Sequence, residues 1–81
     1  MRLSDLPKGA SAVVERVDDV TDSDAIAQRL RDLGFVPGEP LRLAALGPVG
    51  ADPMLVVIGS TRFALRRSEA ARITVREIAS A

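Results

Sequence analysis

The stretch Asp24-Ala25-Ile26-Ala27-Gln28-Arg29-Leu30-Arg31-Asp32-Leu33-Gly34-Phe35-Val36-Pro37-Gly38 decides how the rest of the chain is read. Ile26, Leu30 and Leu33 stand at i, i+4 and i+7, which is one face of a helix over about residues 24–33. Arg29, Arg31 and Asp32 fall off that stripe. Thr21 with Asp24, or Ser23 alone, has the side chain needed to cap the start. Gly34 is placed as the left-handed residue after the last turn, and Pro37 blocks continuation. This is the only segment with a sustained helical period, so the flanking segments are read for strands.

Upstream, Leu3-Ser4-Asp5-Leu6-Pro7-Lys8-Gly9 is a lead-in and turn, with Leu3 and Leu6 as small core plugs. Residues 12–17 form a first strand. Val13 and Val14 are adjacent and Glu15-Arg16 interrupt the alternation, which a bulge would explain. Downstream, residues 40–46 form a strand with Leu41, Leu43 and Ala45 on one face. Gly47–Pro53 is a seven-residue loop rich in Gly and Pro. The apolar run Met54–Ile58 fits a strand buried on both faces. Gly59-Ser60 is a two-residue hairpin signal of type II′. Residues 61–65 return with Phe63 and Leu65 inward, Ser68 caps one helical turn, and residues 73–78 are the last strand. Strand, helix, then four strands predicts a mainly β fold, a small closed or half-closed barrel of about five strands with one α-helix inserted after the first strand.

With 81 residues, one domain over residues 1–81 is expected. A chain this short buries only ~60% of its unfolded surface. Hydrophobic residues make up 47% and charged residues 27%, a mixture that folds rather than staying disordered. Neither Cys nor His is present, so disulfides, zinc sites built on them, Cys nucleophiles and Ser-His-Asp triads are excluded. No apolar run approaches the ~18 residues of a membrane span, so no direct membrane insertion is expected, and the cytoplasm is the expected compartment. Formal net charge is zero but uneven: residues 1–40 hold five basic against eight acidic side chains, and residues 41–81 six against three. With that balance and only two aromatics, Phe35 and Phe63, nucleic acid is not an expected partner. No Gly-rich phosphate loop followed by Lys and Ser/Thr is present.

Three stretches, in order and at their spacing, carry a likeness: Leu3-x-x-Leu6-Pro7-x-Gly9, Arg29-Leu30-x-x-Leu33-Gly34-Phe35-x-Pro37-Gly38, and Phe63-Ala64-Leu65-Arg66-x-Ser68-Glu69-Ala70-x-x-Ile73-x-Val75. Together they resemble the ferrous iron transport protein A (FeoA) family, over residues 3–78. The resemblance implies an SH3-like β-barrel and a small cytoplasmic accessory protein, not an enzyme. The implied partner is a membrane ferrous iron transporter with a cytosolic GTP-binding domain, FeoB. Similar domains form the C-terminal part of iron-dependent repressors, so a free-standing SH3-like regulatory or peptide-binding module is the alternative.

Three groups of residues are candidate sites. Asp18, Asp19, Asp22 and Asp24 are hard oxygen ligands suited to a weakly held divalent metal; alternatively they form a solvated loop that complements the positive end of the helix, and this second reading is preferred. No other cofactor is expected. The turn Gly34-Phe35-x-Pro37 offers an apolar contact to a partner, or Phe35 folds back over the barrel; if so, the outer helix face with Ala27 and Arg31 is the contact surface. Arg66 and Arg67, with Arg62 across the hairpin, form a basic patch for phosphate or an acidic partner, or are solvent-facing. A weak homo-oligomer through apolar surface is a further form the sequence allows.

Overall fold

The computed structural model describes residues 1–78. A 3₁₀ turn at Leu3–Asp5 precedes β1 (Ser11–Val17), α1 (Ala25–Leu33), β2 (Pro40–Val49), β3 (Asp52–Ile58), β4 (Thr61–Leu65), the short helix α2 (Arg67–Ala70) and β5 (Ile73–Ile78). All strand pairs are antiparallel, in the order β4-β3-β2-β1-β5. Among the described residues no ladder joins β4 to β5, so the barrel is half-closed. Leu3, Val14, Leu30, Phe35, Leu43, Met54, Val56, Ile73 and Val75 fill its interior and are sealed from solvent. Leu3 and Leu6 are buried, as the lead-in requires.

The bulge expected in the first strand lies between Val14 and Arg16, where the register against β5 shifts. It turns Glu15 and Arg16 outward together while Val14 and Val17 stay buried. β2 carries two further shifts, between Leu43 and Ala45 and between Leu46 and Val49. At the second, a Cβ on Gly47 would stand 2.2 Å from the Asp52 carbonyl oxygen, so only glycine admits this approach of the two backbones.

Three sequence expectations are corrected here. The seven-residue loop is instead strand on both sides of a two-residue turn: Gly50 and Ala51 both take positive φ, and Val49 pairs with Asp52. Gly-Pro content obscured a bulged ladder that tolerates both. The run Met54–Ile58 is not buried on both faces. Met54 and Val56 are sealed, whereas Leu55 and Val57 are half-buried, because one face of β3 looks outward from the barrel. The short helix is capped by Glu69 rather than Ser68: the Arg66 N–H donates to Glu69 Oε1 at 2.7 Å. At the β3–β4 hairpin Gly59 alone has positive φ, in keeping with type II′.

Candidate functional site

α1 is held to the barrel by charge at its start and by packing at its end. Asp24 is the N-cap: its Oδ1 accepts from the N–H groups of Ile26 (3.1 Å) and Ala27 (3.3 Å). Oδ2 accepts from the Val20 N–H at 2.9 Å and from Arg72 Nε at 2.7 Å. The Val20 bond first, then the Arg72 guanidinium and the Ala27 N–H, lower its pKa from 3.8 to about 2. Asp18 behaves alike. Its Oδ2 accepts from Thr74 Oγ1 at 2.7 Å and from Arg2, and its Oδ1 from Arg16 Nε at 2.8 Å. Those bonds, Thr74's first, lower its pKa to about 2. Asp19 pairs with Arg31 at 3.1 Å.

The acidic loop is therefore a set of separate ties. Asp18, Asp19 and Asp24 each face a different arginine, and Asp22 is exposed. The hollow of about 330 Å³ beside them is lined by Asp19, Asp22, Asp24 and Arg31 among others, so a fixed cation already sits against it. Among the described residues no group of three or more acidic side chains converges as a metal site would need.

At the other end of α1, Gly34 takes φ 116°, and the Phe35 N–H donates back to the Leu30 carbonyl at 3.1 Å, the Schellman arrangement. Phe35 is then fully buried, its ring 5.3 Å from that of Phe63. Phe35 is thus core and not a contact residue; Val36 and Pro37 remain exposed on the turn. Ala27 is also corrected: it is sealed against the barrel, because α1 turns the face Ala27–Leu30 inward and leaves Ile26 and Leu33 each 39% exposed. A small residue lets the helix approach closely, which a period count weighted toward large side chains misses. Arg31 is half-buried and donates to the Val17 carbonyl at 2.8 Å, strapping α1 to the end of β1. The basic patch divides. Arg67 is a tie, its Nη2 donating to the Ser4 carbonyl at 2.9 Å and its backbone N–H to Asp52 at 3.1 Å. Arg66 and Arg62 are exposed.

What remains open is a groove of about 240 Å³ between α1 and β4. Its floor is Leu30, Phe63 and Leu65, its walls Leu33 and Ala64, and its rim Arg29, Arg62 and Glu69. No single residue signalled it, since it forms only when α1 settles beside β4. A half-closed five-strand barrel with one inserted helix and an apolar, basic-rimmed groove defines a small SH3-like domain.

The model of the FeoA domain matches residues 1–77, and the chain belongs to the FeoA family. It is similar to Stenotrophomonas maltophilia FeoA, a prokaryotic SH3 domain protein solved in complex with zinc: 60% identity, 94% of this chain and 89% of that one covered, TM-score 0.87. The FeoA protein of Chlorobium tepidum is 38% identical over 98% of this chain and 71% of that one, TM-score 0.83. Iron(II) transport protein A of Clostridium thermocellum is 35% identical over 96% of this chain and 46% of that one, TM-score 0.82. A manganese-dependent transcriptional repressor, 22% identical over 96% of this chain and 41% of that one, shares the fold, TM-score 0.76. No curated protein matches the chain. Among the described residues, no helix is long and apolar enough to cross a membrane.

Proposed function

We propose that this chain is a non-enzymatic accessory protein of ferrous iron transport, working in the cytoplasm on the GTP-binding cytosolic region of a membrane iron transporter. The observation that carries the reading is the family match over residues 1–77, joined to a fold in which Asp18, Asp19 and Asp24 are engaged in structural ties. A module of this kind acts by shape. It shifts a partner's equilibrium only if it binds one of that partner's states more tightly than another. Iron is the cargo of the system, so a resident metal in this chain is not required. The Stenotrophomonas relative was solved with zinc, and any metal held here would be a weak occupant of exposed carboxylates.

A pull-down of the transporter from membranes, with and without added guanine nucleotide, tests the proposal. The transporter is expected to be retained, and in different amounts in the two conditions. Equal retention removes the nucleotide-linked part, and absence of retention in both removes the proposal.

A further inference from the structure

The two outer edges of the sheet are treated differently. β5 is covered at Thr74 and Val75: Val75 N–H donates to the Met1 carbonyl at 2.8 Å, the Met1 ammonium donates back to the Val75 carbonyl at 3.1 Å, and Arg2 bridges to Thr74. β4 has β3 on one side and, among the described residues, no backbone partner on the other. An unpaired edge is a template for another strand. The register tells which groups are free. Ile58 and Thr61 close the two-residue turn and form its hydrogen-bonded pair, and the pairing alternates from there. Phe63 and Leu65 are therefore bonded to β3, and the N–H and C=O groups of Arg62 and Ala64 point away from it.

The groove runs along that edge. Side chains alternate across a sheet, so a groove confined to one face of β4 would touch every second residue. This one touches Arg62, Phe63, Ala64 and Leu65 in succession, with α1 as the opposite wall. Ala64 is exposed and small, which leaves the edge accessible. The rim supplies the charge: Arg29 and Arg62 have no acidic partner among the described residues, and rim Glu69 already accepts from the Arg66 N–H.

We infer that β4 and α1 receive an extended segment of a partner protein, added as a sixth strand, with an apolar side chain in the groove and acidic side chains beside Arg29 and Arg62. Main-chain bonds to Arg62 and Ala64 give affinity, and the pocket and the arginines give selectivity. A second copy of this chain is the poorer occupant, because β4-to-β4 pairing brings two copies of Arg62 and of Arg29 together. The inference adds a surface and a partner chemistry to the accessory role proposed above and rests on it only in supposing a protein partner. It is tested without the transporter, so each fails separately.

The probe is an acetylated, amidated hexapeptide alternating glutamate and valine, titrated into ¹⁵N-labelled protein; its counterpart has lysine for glutamate. The glutamate peptide is expected to shift the amides of Arg29, Leu33, Arg62 and Ala64 and to slow exchange of the Arg62 and Ala64 N–H groups about tenfold. The lysine peptide binds at least tenfold more weakly, and Arg62→Glu reverses that order. Ala64→Pro removes one outward donor without touching the β3 ladder, so it abolishes binding while the amide spectrum stays dispersed. Absence of binding, equal binding of the two peptides, shifts elsewhere, or an Ala64→Pro protein that is folded and still binds would each overturn the inference. So would concentration-dependent shifts of β4 without peptide, which would make the occupant a second copy. Should Ala64→Pro fail to fold, the Arg62→Glu reversal decides alone.

Discussion

Around residues 18–31 aspartate and arginine meet in pairs: Asp18 with Arg2 and Arg16, Asp19 with Arg31, Asp24 with Arg72. Along β4 and the facing side of α1, Arg62 and Arg29 have no such partner among the described residues, and the apolar floor between them is open. Both regions border the same helix, and both look like surface charge in the sequence. The difference lies in where the counter-charge sits. Arg72 is 48 residues from Asp24, and Thr74 is 56 from Asp18, so the fold itself completes these sites. In the groove nothing in the described residues completes the arginines. Matched charge fastens the barrel; unmatched charge beside an open edge is what a partner can use.

The largest expected effect tests the helix that both regions share. Leu30 is sealed and Leu33 is 39% exposed, although the heptad-like spacing treats them alike. Leu30→Ala is expected to cost about 2–5 kcal/mol, enough to unfold much of a domain of this size. Leu33→Ala is expected to cost under ~1 kcal/mol, because its methyl groups already meet water. Urea denaturation followed by far-UV circular dichroism measures both. Equal midpoints would mean that Leu33 too is part of the core, and that the groove wall is not available to a partner.

Next comes acid. Asp18 and Asp24 have folded pKa values of about 2 against a reference of 3.8. The unfolded chain therefore binds more protons between those values, and stability rises with pH across the window. The contribution of these ties is complete above about pH 5 and is lost as pH falls toward about 2. Asp24→Asn is expected to lower the urea midpoint at pH 7, to flatten its fall between pH 5 and pH 2, and to converge with the parent at the acid end. Arg29→Ala, on the groove side, leaves the slope unchanged. A parent protein with no acid slope would show that the matched charges contribute nothing, and the contrast between the regions would collapse.

Much of this was legible in the chain. The helix, its Gly34 terminus, the bulge after Val14, the Gly59-Ser60 hairpin and the inward parity of Phe63 and Leu65 all follow from local spacing, which needs no knowledge of neighbours. Pairings across 14 or more residues were not legible. Hence Arg31 and Arg67 look like free surface cations until Val17 and Ser4 are placed against them. The burial of Ala27 is hidden for a related reason: it depends on how closely α1 approaches the sheet, and a methyl group carries little hydrophobic signal. The β4 edge is a property of strand order. Five strands can be counted from sequence, but which two stand at the ends cannot.

The smallest effect separates the two kinds of arginine directly. Arg31 is half-buried, bonds the Val17 carbonyl and pairs with Asp19, whereas Arg62 is exposed with no such partner among the described residues. Arg31→Ala is expected to cost about 1 kcal/mol, a fall in melting temperature of ~4–8 °C. Arg62→Ala is expected to stay within about 2–4 °C of the parent. Thermal melts by circular dichroism suit a chain without Tyr or Trp. If Arg62→Ala melts at or below Arg31→Ala, the β4 arginine is fastening the barrel after all. Both sides of α1 would then serve to hold the fold together, leaving no unmatched charge for a partner to read.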